Sequence, residues 1–317
     1  MKTILLAEKE FSEKAIARLK NVGRVIPFGS LRQFKNNLLY ADVLLTALEV
    51  RLDASLLNRA SKLRLIASRT TQLRYIDLDA CARRGIRVIN IKANSLVLRR
   101  TPSTAEEAMA LILALVRNIP WAFDAIKREQ WERHRYGGHE VYGKTLGLIG
   151  FGRLGRLVAR YSRAFGMTVI ASDPHVDVKT MQRYGVHKVT LERLLRKSDI
   201  VSLHATYHAA TMGMLAKKHF RMMRREAVFI NTARGEMTDE IALHTALEHG
   251  WIAGAAVDTL AGESSDGAHL RQNLLVQYAR RHENLIIVPH LGGATQEATQ
   301  RTQEYISDLV IKAIPSL

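Results

Sequence analysis

Ten short apolar runs, four to six residues each, alternate with amphipathic stretches along most of this 317-residue chain. They read TILLA (3–7), VLLTA (43–47), LRLIAS (63–68), RVIN (87–90), TLGLIG (145–150), TVIAS (168–172), IVSLHA (200–205), AVFINT (227–232), GAAVDT (254–259) and LIIVPH (285–290). Helical patterns lie between most of them. Runs this short suit strands buried on both faces, and strands separated by helices pair parallel, since a parallel neighbour needs a long crossover. The expected class is α/β, with parallel sheets covered by helices on both faces. The length is comfortable for two domains. The longest helical candidate is STAEEAMALILALVRNIPWAFDAIKREQW (103–131). Ser103 or Thr104 with Glu106 or Glu107 forms a capping signal at its start, and Pro120 is expected to kink it or divide it in two.

Several classes are disfavoured. There is no run of 18 uncharged apolar residues, so no membrane span is expected. The opening MKTILLAEKEFSEKAIARLK has an apolar patch only at 4–7, followed at once by acidic residues, and reads as a strand and helix rather than a signal peptide. Cys81 is the one cysteine, which rules out an internal disulfide and fits a reducing cytoplasm. Its setting, DACARRGI, reads as a buried helix position rather than a nucleophile. Lys plus Arg number 47 against 30 Asp plus Glu, a formal charge of +17. The basic residues are dispersed, without a nucleic-acid motif, so no specific nucleic-acid partner is expected and the bland reading is a solvated basic surface. The sharper reading is electrostatic steering of an acidic substrate.

The run TLGLIG passes straight into Gly150-Phe151-Gly152-Arg153-Leu154-Gly155 and then a helical stretch. With 20 glycines in 317 residues, chance alone would produce this G-x-G-x-x-G roughly 0.08 times, so the spacing is moderate evidence and its strand–helix context carries the weight. Gly150 permits a tight turn, Gly152 lets backbone approach a pyrophosphate, and Gly155 allows close helix–strand packing. The helix N-terminus then offers N–H groups to the anion. The next strand ends at Asp173, 18 residues past Gly155. A carboxylate there suits the ribose hydroxyls of NAD and repels the 2′-phosphate of NADP, though His175 and Arg183 leave NADP open. A second constellation follows: Arg234 just after AVFINT, Glu263 after GAAVDT, and His290 ending LIIVPH. Open α/β sheets place their ligand crevice at such carboxyl ends. Arginine binds a carboxylate bidentately and polarises an adjacent keto oxygen. Histidine exchanges a proton near neutral pH, and a carboxylate beside it fixes its tautomer and raises its pKa. Singly, each has a bland reading, a surface ion pair or a structural histidine.

Together these stretches resemble the D-isomer-specific 2-hydroxyacid dehydrogenases. The matching segments are 143–174, 198–215, 229–263 and 288–298, with 76–90 and 103–120 upstream, covering roughly 60–300 in the family's order. The resemblance implies an NAD-dependent oxidoreductase that moves a hydride between nicotinamide and a small 2-keto or 2-hydroxy acid. It implies Arg234 on the carboxylate and carbonyl, His290 as acid–base and Glu263 orienting it. NAD contacts are implied at Gly150, Gly152, Arg153, Leu154, Gly155, Asp173, His204, Thr206, Thr232, Ala233, Asp258 and Gly292. Thr70, Thr71 and Gln72 are implied at the substrate, and no metal. The implied architecture is two Rossmann-like domains around a cleft, a flavodoxin-like substrate domain of 1–98 plus 293–317 and an NAD-binding domain of 99–292. A homodimer through the latter, with 103–131 taking part, is also implied.

Three departures bear on this. In SRTTQLRYID (68–77), Thr70 and Gln72 stand where the family usually has glycine, and Arg74 where it has Asp. Thr206 stands where a Pro is usual, and in AGESSDG Glu263 is followed by Ser264 instead of Pro. A formate-dehydrogenase-like activity is disfavoured, because that branch carries Gln where Glu263 stands. A phosphoglycerate-type dehydrogenase, without a regulatory domain after Leu317, and an NAD(H)-sensing corepressor-like binding protein remain as alternatives.

Overall fold

The computed structural model describes all residues of the chain except Glu49, Asn94, Ser265 and Asp266. It divides into two compact units, one of Met1–Thr101 with Thr295–Leu317, the other of Pro102–Ala294.

The first unit holds β1 (Lys2–Leu6), β2 (Gly23–Ile26), β3 (Val43–Thr46), β4 (Leu65–Ser68) and β5 (Arg87–Asn90), all parallel in the order β2-β1-β3-β4-β5. Successive side chains on a strand point to opposite faces, and both faces here are apolar. Leu5, Leu44 and Ile66 pack with Phe34, Leu38, Leu57 and Cys81 on one side. Ile4, Leu6, Val43, Leu45 and Leu65 pack with Leu19, Ile306 and Val310 on the other, so the C-terminal helix Gln296–Ala313 completes this unit. Cys81 is buried, and burial together with the Asp77 charge pushes its thiol pKa up, which keeps it an unreactive core residue.

The second unit holds β6 (Thr145–Ile149), β7 (Thr168–Ser172), β8 (His187–Lys188), β9 (Ile200–Leu203), β10 (Val228–Asn231), β11 (Gly254–Val257) and β12 (Leu285–Ile287). They are again parallel, in the order β12-β11-β10-β9-β6-β7-β8. The chain runs outward from β6 in one direction and from β9 in the other, which makes the β6–β9 boundary the topological switch point. Among the described residues no single helix is long and apolar enough to cross a membrane.

Ten of these twelve strands coincide with the apolar runs. β2 and β8 do not announce themselves: β2 is GRVI, a half-exposed edge strand, and β8 is two polar residues at the other sheet's edge. The long helical candidate is divided, into Ser103–Val116 and Ile119–Lys127, by Asn118 in the left-handed region (φ 53°), which leaves Pro120 in the first turn of the second helix. The expected cap does not form. The N-cap is Pro102, the Ser103 hydroxyl is buried with no hydrogen-bond partner among the described residues, and the Thr104 hydroxyl donates to the Gly292 carbonyl.

Candidate functional site

Register places the site. One row of paired residues crosses the second sheet: Ser172, Ile149, Leu203, Asn231 and Val257 on β7, β6, β9, β10 and β11. The next residue along each strand is Asp173, Gly150, His204, Thr232 and Asp258. Five of the twelve expected nucleotide contacts thus stand level at the carboxyl edge of five adjacent strands, a span of roughly 19 Å at ~4.8 Å per strand gap.

The glycines behave as the motif demands. Gly150 has φ +93°, and a Cβ there would meet Ala205 N at 2.6 Å and His204 C at 2.8 Å. A Cβ on Gly155 would strike the Gly150 carbonyl, so the helix Arg153–Ala164 seats against the turn only because Gly155 has none. A Cβ on Gly152 would meet nothing within 4 Å, which leaves its backbone open to a ligand at the helix start, where Arg153 and Leu154 form the first turn. Asp173 is fixed rigidly, Oδ2 accepting Phe151 N–H and Oδ1 accepting His175 N–H, both at 2.8 Å. Beside it, at the ends of β7 and β8, lies a cavity of about 510 Å³ lined in part by Asp173, Pro174, Lys188 and Arg193.

Further along the edge, polar atoms are left over. His204 Nε2 pairs with Ser202 Oγ at 2.8 Å, while its Nδ1 is buried without a partner among the described residues. Burial lowers the His204 pKa to about 4, so the ring is neutral at physiological pH. The Thr232 and Thr259 hydroxyls, just past the carboxyl ends of the neighbouring strands β10 and β11, are also buried without partners among the described residues. Buried polar atoms are nearly always satisfied. Three orphans along one edge, two of them level with an open glycine turn and the third one residue further on, fit a polar, extended group such as NAD. Thr206 is exposed, its carbonyl accepting the Thr211 hydroxyl.

The catalytic candidates stand at the β10–β12 end. Asn231 shapes the turn that presents Arg234: its Oδ1 accepts Ala233 N–H and its Nδ2 donates to the Arg234 carbonyl, both at 2.9 Å. Arg234 Nη1 donates to the Ala233 carbonyl. His290 Nδ1 meets Glu263 Oε2 at 2.7 Å, and Glu263 Oε1 accepts Leu260 N–H at 2.8 Å. Burial raises the Glu263 pKa, but the hydrogen bond and charge of His290, the Leu260 N–H and the Arg234 charge outweigh it and hold the carboxyl below its ordinary value. Glu263 is therefore ionised at neutral pH, and the shared proton sits on His290 Nδ1. Ser265 and Asp266 of the AGESSDG stretch lie outside the described residues.

Asp258 braces the turn that carries His290. Its carboxylate accepts Leu291 N–H at 2.5 Å and Gly292 N–H at 3.0 Å, and its carbonyl accepts His290 N–H at 2.9 Å. These bonds hold His290 at φ +57°, a left-handed conformation uncommon for a residue with a side chain. Burial pushes Asp258 up to about 6, against the Gly292 and Leu291 N–H groups and the His290 charge, with Glu107 adding to the rise. A carboxyl held so far above its ordinary value contributes stability at low pH that is lost as pH rises through about 6. Comparing melting temperature against pH for the wild type and Asp258→Asn should show this decline between about pH 4 and 6 in the wild type alone.

Thr70, Thr71 and Gln72 belong to the other unit, in the loop after β4. Thr70 is committed within that loop. Its hydroxyl donates to the Gln72 carbonyl at 2.6 Å and lies 2.8 Å from Ser68 Oγ, which also accepts Thr70 N–H. Asn90 braces the loop further, donating to the Thr71 carbonyl at 3.1 Å.

The family model for the NAD binding domain of D-isomer specific 2-hydroxyacid dehydrogenases matches residues 109–292, more than half of the chain. The chain belongs to this family. It is 32% identical over 313 residues to the D-3-phosphoglycerate dehydrogenase of Methanocaldococcus jannaschii, covering 98% of this chain and 57% of that protein. It is 35% identical over 271 residues to that of Bacillus subtilis, covering 86% and 49%. The chain thus spans about half the length of these curated relatives. Its fold superimposes with a TM-score of 0.81 on D-lactate dehydrogenase from Aquifex aeolicus, solved with NAD and lactic acid, at 28% identity and over 99% and 96% of the two chains. The family's cofactor is NAD, and the matched NAD-binding domain contains the glycine edge. Asn231, which shapes the arginine turn, escaped sequence reasoning, because a single Asn before Thr-Ala-Arg reads as an ordinary strand end.

Proposed function

We propose that the chain is an NAD-dependent D-2-hydroxyacid dehydrogenase, reducing a small 2-keto acid or oxidising the corresponding 2-hydroxy acid. The observation that carries this reading is the ionised Glu263 bound to His290 Nδ1 at 2.7 Å, with Arg234 close enough to depress the same carboxyl. Bound nicotinamide supplies the hydride. Arg234 clamps the substrate carboxylate and draws electron density from the keto oxygen. Because Nδ1 is tied to Glu263, Nε2 is the atom of His290 that gives the proton to the forming alkoxide and takes it back in reverse. Asp258 fixes the ring's position through the 290–292 turn. Thr71 and Gln72 are assigned to substrate selection.

The test is NADH oxidation against a panel of keto acids: glyoxylate, pyruvate, hydroxypyruvate, its phosphate and branched analogues. Arg234→Lys keeps the charge but loses the fork, so kcat/KM should fall roughly a hundredfold, about 2–3 kcal/mol, with NADH affinity little changed. Equal loss of both would remove the assigned role. The relatives' substrate and the +17 charge favour a second reading within the class, a phosphorylated 2-keto acid. No preference for hydroxypyruvate phosphate over hydroxypyruvate would discard it. The assembled Arg–Glu–His set argues against a sensor without turnover.

We further propose that the protein is a cytoplasmic homodimer. Ile119, Phe123, Ile126 and Trp131 are exposed on and just after the second of the paired helices, a cluster of apolar side chains expected to be covered. Phe123→Asp should convert a dimer to a monomer by light scattering, and a monomeric wild type would refute the assembly.

A further inference from the structure

Glu240 opens the helix Glu240–Glu248 and belongs to none of the sets above. Its Oε1 accepts Ala261 N–H at 2.7 Å, and its Oε2 accepts Asn273 Nδ2 at 2.8 Å. Asn273 is itself fixed, because its Oδ1 caps the helix Leu274–Ala279 by accepting Leu275 and Val276 N–H at 2.9 and 3.2 Å. Flipping its amide would forfeit both caps. Ala261 lies next to Leu260, whose N–H holds Glu263 Oε1 at 2.8 Å. The segment is also wedged from behind, since a Cβ on Gly235, just past Arg234, would strike Leu260 and Ala261 backbone. Two carboxylates thus grip two successive N–H groups of one short loop. Glu263 uses one to anchor itself, and Glu240 uses the other to anchor the loop to a rigid helix cap.

We infer that Glu240, oriented by Asn273, is a positioning residue that holds the 260–263 loop so that Glu263 meets His290 Nδ1. The inference rests on the acid–base role proposed for His290. Glu240 touches neither substrate nor cofactor in this scheme. It acts by restricting where the Glu263 carboxylate can sit, and such outer partners commonly govern activity as strongly as the groups they support.

The experiment exchanges donor and acceptor. Glu240→Ala deletes the brace. Asn273→Asp keeps the helix cap but sets a carboxylate against Glu240. In the pair Glu240→Gln with Asn273→Asp, the glutamine Oε1 still accepts Ala261 N–H and its amide donates to the aspartate. The two single variants should lower kcat roughly ten- to a hundredfold, with KM and the NADH dissociation constant within about twofold of wild type. The exchanged pair should recover most of the lost kcat. Melting temperatures and NADH titrations on the intact protein separate this from simple unfolding. A wild-type kcat in Glu240→Ala, a loss expressed in NADH affinity instead of kcat, or an exchanged pair no better than Asn273→Asp overturns the inference. If His290→Asn keeps full turnover, the underlying acid–base reading fails. If it abolishes turnover while Glu240→Ala is unaffected, only the positioning role fails.

Discussion

His290→Ala is expected to lower kcat/KM for keto-acid reduction about a thousandfold, near 4 kcal/mol of transition-state stabilisation, with NADH binding intact. The loss follows from geometry. Glu263 is ionised and occupies Nδ1 at 2.7 Å, which leaves Nε2 to deliver the proton that neutralises the developing alkoxide. Alanine removes that proton and strands the Glu263 carboxylate beside Arg234. It also places a side chain with no special tolerance for φ +57° in a strained position, which is why His290→Asn is the better control. Asparagine accepts left-handed geometry yet cannot act as a general acid at neutral pH. Both variants should lose turnover, and the asparagine variant should melt closer to wild type. Near-wild-type turnover in either would take the proton relay away from His290. Glu263→Gln should cost less, roughly ten- to a hundredfold, because the amide oxygen can still accept Nδ1–H, although the carboxylate charge is gone and the amide nitrogen is set against the Leu260 N–H.

The second large effect separates folding from binding within one loop. Gly150→Ala puts a Cβ 2.6 to 2.8 Å from three backbone atoms of His204 and Ala205, at φ +93°. Backbone cannot yield as a side-chain tip does, so the β6 turn and the β9 end must move apart. Strain of about 2–4 kcal/mol is expected, a melting temperature lower by about 5–12 °C for a domain of this size, and NAD affinity lost with it. Gly152→Ala meets nothing within 4 Å, so the unliganded protein should melt like wild type. Its methyl would nevertheless occupy the space over the helix start, and NAD should bind at least roughly tenfold more weakly. Calorimetric melts with and without NAD read both effects. Equal destabilisation of the unliganded protein by the two substitutions would refute the division of labour between the glycines.

Much of this was legible in local pattern. The apolar runs marked ten of twelve strands because both sheets are parallel and buried on both faces, so each inner strand is apolar along its length. The runs overshot the strands at their carboxyl ends, through Gly150, His204, Thr232 and Asp258–Thr259, because sequence carries no mark of where the ladder stops. Those overshoot residues make up the carboxyl edge where the nucleotide is expected. The failed cap at Ser103 and Thr104 shows the opposite limit. A capping signal is local, but Thr104 found a better acceptor in the Gly292 carbonyl, 188 residues away.

By itself the sequence determined the α/β class and the position of the glycine turn and singled out Arg234, Glu263 and His290 as candidates, since strand period, glycine permissiveness and residue chemistry are properties of short segments. Only the tertiary structure decided that Asp173, Gly150, His204, Thr232 and Asp258 stand in one row, because the register of parallel strands is set by how distant crossovers pack. It brought Glu263 onto His290, the pairing the family resemblance implied, and it alone gave Asp258 the turn that strains His290 and set Glu240 and Asn273 behind the loop. Each of these contacts joins residues 12 or more apart whose spacing has no local period, so nothing in the chain's pattern foretells them; they exist where packing brings a donor and an acceptor within 3 Å.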